Sequence, residues 1–245
     1  MKSRMVSDLT LIYYSANTIQ DTPAQKIRDN LLRVTENKYP IVSVTQKPIN
    51  FGKNICMGVL GRNKYNCYKQ ILIGAREAKT KYVACAEDDT LYSSDHFEYR
   101  PPKDTYSYDT NYWFAQVRKD FYWRDGRPNQ MSGMLGCIVE RETLIKTLSK
   151  RYEMYPIDPW AGDIKVAKPL LWGEPQLRDS SFGVTNKVVY VASKNPSVTF
   201  VHEAAMGYKQ LLGFRRRYGN PLEKDIRYNL EGYGNIKDLW KEYWE

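Results

Sequence analysis

Three consecutive acids, Glu87, Asp88 and Asp89, follow directly on the apolar run Tyr82-Val-Ala-Cys-Ala86. A run of this length reads as a buried strand, and the carboxyl end of such a strand is where open α/β sheets bind ligands. Adjacent carboxylates repel one another. They persist most comfortably where a hard divalent cation, Mg²⁺ or Mn²⁺, takes oxygen ligands from them and from a substrate diphosphate. Strand alternation sets Glu87 and Asp89 on one side and Asp88 on the other. For such a triplet taken alone, the competing reading is a solvated turn, or a helix N-terminus capped by Asp89 or Thr90.

The elements that must position these acids can be read on either side of them. Residues 9–14 form a first strand ending in Ser15, Ala16 and Asn17, a polar tip suited to a nucleotide. Pro23 opens a helix with an apolar stripe of Ile27, Leu31, Leu32 and Val34, which Asn37 and Pro40 end. Residues 41–45 make a second strand, and strand, helix, strand at this spacing implies a right-handed parallel crossover. A loop covers residues 46–54, a glycine-containing segment runs on to Gly61, and a second helix over 64–78 carries Tyr68, Ile71, Leu72 and Ala75 inward. Beyond the acids, Ser93 or Ser94 caps a short helix in which His96 and Phe97 pack.

Residues 106–117 alternate aromatic and polar types as a strand or hairpin, and Asp125-Gly126 marks a turn. Residues 132–140 read as a strand entering a helix over 141–151; residues 152–200 are irregular apart from a strand at 187–192. The expected fold class is α/β, with a mixed, mostly parallel sheet flanked by helices. Residues 1–205 form one domain, and residues 206–245 are a basic and aromatic extension packing on it.

The charge narrows the partners. With 37 Lys+Arg against 28 Asp+Glu the net charge is +9 and the pI about 9.2, which attracts nucleotides, nucleic acid or an anionic membrane face. There are 20 Tyr and 6 Trp, and sugars and unstacked bases both bind against aromatic faces. No apolar run approaches the roughly 18 residues of a membrane span, and the first residues lead into a strand without a cleavable apolar region. The expectation is a cytoplasmic protein without membrane insertion, and a monomer. Cys56, Cys67, Cys85 and Cys137 lack zinc-like pairing and read as reduced, buried thiols.

Taken in order, the Ser-Ala-Asn17 strand tip, the loop to Asn54, the Gly74-Ala-Arg-Glu-Ala-Lys-Thr80 helix end, the Glu-Asp-Asp89 strand end, Gly136-Cys-Ile-Val-Glu-Arg141 and a late His202 resemble a nucleotide-sugar glycosyltransferase of the GT-A fold. The likeness is strongest, over residues 54–92, to the compact phage and environmental-virus type, which would place the protein in an infected host cell. It implies a divalent metal (Mn²⁺ or Mg²⁺) bridging the diphosphate of a nucleotide-sugar, with a UDP-sugar as the leading donor. Glu87, Asp88 and Asp89 are then donor and metal residues, Glu87 and Asp89 with His202 the metal ligands, and Ser15, Ala16, Asn17, Asn54 and Lys69 donor contacts. Lys209 in the basic tail would help neutralise the leaving charge. This sequence has Glu-Asp-Asp where the family has Asp-x-Asp. His202 also reads as a satisfied structural histidine.

An inverting transfer of a hexose or pentose needs a carboxylate base for the acceptor hydroxyl, and the family often places it ahead of the last strand. Glu174 is the first candidate and Asp179 the second, with Asp163 and Asp179 as plain surface acids the alternative. Retention needs no such base. For the acceptor, the charge and eight aromatics within residues 106–123 suggest DNA carrying 5-hydroxymethylcytosine or another hydroxymethylpyrimidine. Tyr112, Trp113 and Trp123 would stack the flipped base; Arg118, Arg124, Arg215, Arg216 and Arg217 would hold phosphates. The rivals are a glycan or lipid-linked acceptor at the inner membrane face and a DNA-binding module that has lost activity.

Overall fold

In the computed structural model, residues 7–116, 119–124, 133–159, 174–175, 179–202 and 223–245 are described. In chain order the elements are β1 (Leu9–Ser15), α1 (Asp21–Thr35), β2 (Ile41–Thr45), β3 (Lys53–Cys56), α2 (Lys64–Glu77), β4 (Tyr82–Glu87), β5 (Thr90–Leu91), β6 (Thr105–Asp109) and β7 (Tyr112–Gln116). They continue with β8 (Phe121–Trp123), β9 (Cys137–Glu140), α3 (Arg141–Met154), β10 (Lys187–Val191), β11 (Ser197–Phe200), β12 (Ile226–Arg227), β13 (Asn229–Leu230), β14 (Gly234–Asn235) and α4 (Ile236–Trp244).

The central sheet has seven strands in the order β10-β6-β9-β4-β1-β2-β3. It is mixed and mostly parallel: only β9 runs against its neighbours β4 and β6. Strand alternation divides its core. Ile12, Tyr14, Val83 and Cys85 face α2 and α3, while Leu9, Leu11, Tyr13, Tyr82 and Ala84 face the side holding Leu31 of α1 and Phe97. α2 lies so close to β1 that a Cβ on Gly74 would fall 2.4 Å from Ile12 Cγ2.

Five further strands, β12-β8-β7-β11-β5, form a second sheet. Its core joins Trp113, Tyr122, Val198 and Phe200 to Ile236, Leu239 and Tyr243 of α4 and Ile27 of α1. The Glu87–Asp89 turn is one of the places where the chain passes between the sheets, because it joins the end of β4 to the start of β5. Strand geometry therefore stops at Glu87, and the alternation expected across the triplet gives way to a turn at Asp88 and Asp89.

Several boundaries differ from the sequence reading. Residues 106–117 are two strands in different sheets, broken at Thr110 and Asn111. β3, across the junction of the expected loop and the glycine-containing segment, is an edge strand of exposed and half-exposed residues that carries no apolar run. β11 lies inside the segment read as irregular. Of the cysteines, Cys85 and Cys137 are buried, whereas Cys56 is exposed, since it ends the edge strand.

Candidate functional site

A cleft of about 200 Å³ opens at the carboxyl ends of β1 and β4. One wall is the β1 tip with Tyr14, Ser15, Ala16 and Thr18. The floor is Glu87, Asp88 and Asp89. The far wall holds Tyr112, Phe114, Thr199, Phe200 and His202, and Gln46, Gly61, Arg62 and Asn63 close the remaining end.

Each acid is tied to a different neighbour. The Tyr14 hydroxyl donates to Glu87 Oε1 at 2.6 Å, and the Glu87 N–H donates to Tyr92 Oη at 3.0 Å. Ser15 Oγ donates to Asp88 Oδ2 and accepts the Asn17 N–H at 2.7 Å. Asp89 is buried, accepts from Thr90 Oγ1 at 3.2 Å, and has its Oδ2 3.3 Å from His202 Nε2. β-Pairing produces that last contact. β11 runs antiparallel to β5 with Thr199 opposite Thr90, the Phe200 N–H donates to Asp89 O at 2.9 Å, and His202 follows two residues later.

Burial, with the charge of Asp89 next, raises the Glu87 carboxyl well above the usual range and pushes Asp88 up to about 6. The Tyr14 and Ser15 hydrogen bonds act in the opposite direction. A cation placed here would offset the desolvation and, after it, the repulsion that keep these groups reluctant to ionise.

Two ligand atoms cis to one another on an octahedral Mg²⁺ stand about 3 Å apart. The Asp89 Oδ2 and His202 Nε2 pair matches that spacing. Among the described residues no group of three or more His, Cys, Asp or Glu side chains stands ready for a metal, and Glu87 and Asp88 are engaged by Tyr14 and Ser15. The donor set therefore fits a cation held by one or two protein ligands, with water and phosphate oxygens for the rest, the usual pattern for Mg²⁺.

Neighbouring polar side chains hold the walls. Asn17 adopts a left-handed backbone (φ 53°) and its Oδ1 accepts the N–H groups of Gln46 and Lys47, both at 2.9 Å. Gln46 spends its amide on the adjacent loop, donating to Gly61 O at 2.8 Å and accepting from Leu60 N at 2.9 Å. Buried Gln70 of α2 donates to Ser15 O at 2.7 Å and Val44 O at 2.8 Å, joining the ends of β1 and β2. Tyr14, Gln46 and Gln70 escape sequence reasoning, since a lone amide or phenol on a core face carries no motif.

Glu174 does not line the cleft but lies within electrostatic reach of Glu87 and Cys67, which do. Burial pushes its carboxyl up to about 7 against the pull of Lys64 and Arg151. Its Oε2 is enclosed without a hydrogen-bond partner among the described residues.

Other expected site residues stand elsewhere. Asn54 pins β3 to β2, donating to Ser43 Oγ at 2.9 Å and Thr45 Oγ1 at 2.8 Å, and Lys69 sits half-buried on α2; neither lines the cleft. Asp179 forms a buried ion pair with Arg151 at 3.1 Å and accepts from Asn186 at 2.8 Å, a structural arrangement in place of a surface acid or a base. Trp113 and Trp123 are core residues, and Arg124 lies over the Trp113 ring at 5.1 Å. A stacking surface for a flipped base is thus not offered by these tryptophans; of the expected aromatic contacts only Tyr112 reaches the cleft. His96 is buried against Asp109 at 2.8 Å, as a packing histidine would be. Asp163, Arg118, Lys209, Arg215, Arg216 and Arg217 lie outside the described residues. No helix among the described residues is long and apolar enough to cross a membrane.

No protein-family model matches the chain, and no curated protein matches it by sequence. Its structural neighbours are nucleotidyl- and glycosyltransferases at low identity. It is similar to a nucleotidyl transferase from Methanothermobacter thermautotroptrophicus, with 12% identity, a TM-score of 0.44, and 86% of this chain and 98% of that one covered. A glycosyltransferase involved in the glycosylation of the major capsid of PBCV-1 gives 8% identity, a TM-score of 0.47 and coverage of 83% and 96%. The inositol-1-phosphate CTP transferase from T. maritima gives 10%, 0.46, and 88% and 99%. With TM-scores below 0.5, these likenesses carry no argument about activity, and the functional reading rests on the residues of the cleft.

Proposed function

We propose that this chain is a metal-dependent transferase that moves a sugar from a nucleotide-sugar, a UDP-sugar first among the candidates, to a hydroxyl acceptor. The observation that carries the reading is the pairing of Asp89 Oδ2 with His202 Nε2 at 3.3 Å, where the floor meets the far wall of a cleft whose opposite wall is Ser15, Ala16 and Thr18. Asp89 and His202 would hold Mn²⁺ or Mg²⁺, with Glu87 and Asp88 close behind. When bound, the cation supplies Lewis-acid neutralisation of the charge that develops on the leaving diphosphate. The β1 tip holds the nucleotide. Glu174, buried behind the cleft lining with its carboxyl near 7, is the base this reading assigns to the acceptor hydroxyl, which must then reach it beside Glu87 and Cys67. The hydroxyl oxygen bonds to the anomeric carbon, the bond from that carbon to the diphosphate oxygen breaks, and the nucleoside diphosphate leaves with the electron pair.

For the acceptor, the net charge of +9 supports a polyanion, and hydroxymethylcytosine in DNA offers a suitable hydroxyl. Burial of Trp113 and Trp123 favours the second reading, a glycan or lipid-linked acceptor, because base stacking loses those two residues. The test is product analysis after incubation with Mn²⁺ or Mg²⁺, a panel of nucleotide sugars, and hydroxymethylated DNA, ordinary DNA or lipid-linked glycans. Nucleoside diphosphate release with a hexose or pentose mass increment on one acceptor is the expected result. Pyrophosphate release from a nucleoside triphosphate, with no sugar transfer from any donor, would make the protein a nucleotidyltransferase instead.

A further inference from the structure

We infer that Trp244 is a positioning residue for His202, and that α4 is the clasp joining the two walls of the cleft; the inference rests on the metal reading above. The Trp244 ring lies 5.0 Å from the His202 imidazole at an interplanar angle of 37°. Trp240 stacks on Trp244, with ring centroids 4.8 Å apart and planes nearly parallel at 6°. Phe200, the cleft residue two positions before His202, touches Trp240, Tyr243 and Trp244 at 5.6–6.1 Å. Phe200 and His202, two of the side chains of the far wall, therefore rest on one face of α4.

The same helix reaches the opposite wall. Asn30 Nδ2 donates to Tyr243 Oη at 3.1 Å and Lys26 Nζ donates to Glu242 O at 2.6 Å, which fastens α4 to α1. α1 is the direct continuation of the β1 tip that supplies Ser15, Ala16 and Thr18. Asn235 caps α4, its Oδ1 accepting the Lys237 N–H at 2.9 Å, so the helix is fixed at its start as well as along its apolar face.

A histidine ligand binds well only when its ring plane is held toward the ion. In most sites a hydrogen bond to the second ring nitrogen does this. None to His202 Nδ1 is seen among the described residues, and the flat face of Trp244 takes over the constraint. A ring at this position preserves the contact, and an aliphatic side chain does not.

The experiment is uptake of Mn²⁺, followed by the loss of free-ion electron paramagnetic resonance signal with UDP present, for the intact chain and for Trp244→Phe, Trp244→Leu and Leu239→Ala. Leu239 belongs to the same apolar face of α4, and its ring-free side chain makes no aromatic contact with His202. Trp244→Leu should weaken Mn²⁺ binding about 10-fold or more, the range seen when supporting groups around a ligand are lost. Trp244→Phe should stay close to the intact protein. Leu239→Ala should lower the melting temperature while leaving Mn²⁺ affinity nearly unchanged. Equal affinity in Trp244→Leu and the intact protein, or an equal loss in Leu239→Ala, overturns the positioning role and leaves the metal site standing. Absence of Mn²⁺ uptake by the intact protein overturns the metal reading and this inference together.

Discussion

Glu174→Gln tests the electrostatics of the site through stability as well as turnover. Burial raises the Glu174 carboxyl from 4.5 to about 7, so between those values the folded chain binds a proton that the unfolded chain has released. The associated stability is fully present below about 4.5 and is lost as pH rises through 7. Each pH unit between those values is worth about 1.36 kcal/mol, so the ionised side chain destabilises the fold by at most about 3.4 kcal/mol above pH 7, and by about 2–3 kcal/mol with its partial solvent access taken into account. Glutamine keeps the shape and cannot ionise. At pH 8 the variant should melt about 5–10 °C above the parent, using the scaling for a chain of this length. At pH 5, where most of this loss has not yet accrued, the difference should shrink to about 2 °C. If Glu174 is the base, turnover of the variant falls by roughly 10²–10⁴ with donor affinity nearly unchanged, and parent turnover drops as pH falls below 7. A melting difference equal at pH 5 and pH 8 would refute the buried-carboxylate argument. A product that retains the donor's anomeric configuration would refute the base role whatever the melting curves show.

Two further variants probe the framework. Tyr14→Phe removes the donor to Glu87 Oε1, an interaction worth about 1.5–3 kcal/mol to a charged acceptor, so Mn²⁺-dependent UDP binding measured calorimetrically should weaken about 10-fold or more; unchanged binding contradicts it. Gly74→Ala gains about 1 kcal/mol of helix propensity but drives a methyl to 2.4 Å from Ile12 Cγ2, an overpacking of about 1–3 kcal/mol. Thermal melts should show net destabilisation, and a rise in melting temperature would show that α2 can move away from β1.

What could be read from the sequence was whatever local pattern dictates. The apolar runs of β1, β2 and β4 and the stripe of α1 stand out because both faces of the central sheet are covered. The acids of Glu87–Asp89 could be assigned to a strand end for the same reason. β3 and β11 were hidden: β3 is a half-exposed edge, and β11 is four residues long and defined by pairing with β5 and β7. The aromatic block of residues 106–123 carried two meanings, ligand platform and core, and composition cannot separate them; six of its eight rings are buried. α4 was readable in principle, with Asn235 as cap and Ile236, Leu239 and Tyr243 at helical spacing. Its role beside His202 was not, because that contact spans 42 residues of chain and depends on the second sheet.

The central claim is that Asp89 and His202 hold one divalent cation together with a nucleoside diphosphate. Calorimetric titration of Mn²⁺ into the protein, with and without UDP, for the parent, Asp89→Asn and His202→Gln, tests it most directly. The account predicts one Mn²⁺ per chain in the parent, bound more tightly when UDP is present, and loss of that coupling in both variants while the fold melts normally. Coupled binding that survives in both variants, or UDP binding in the parent that is indifferent to Mn²⁺, would contradict it.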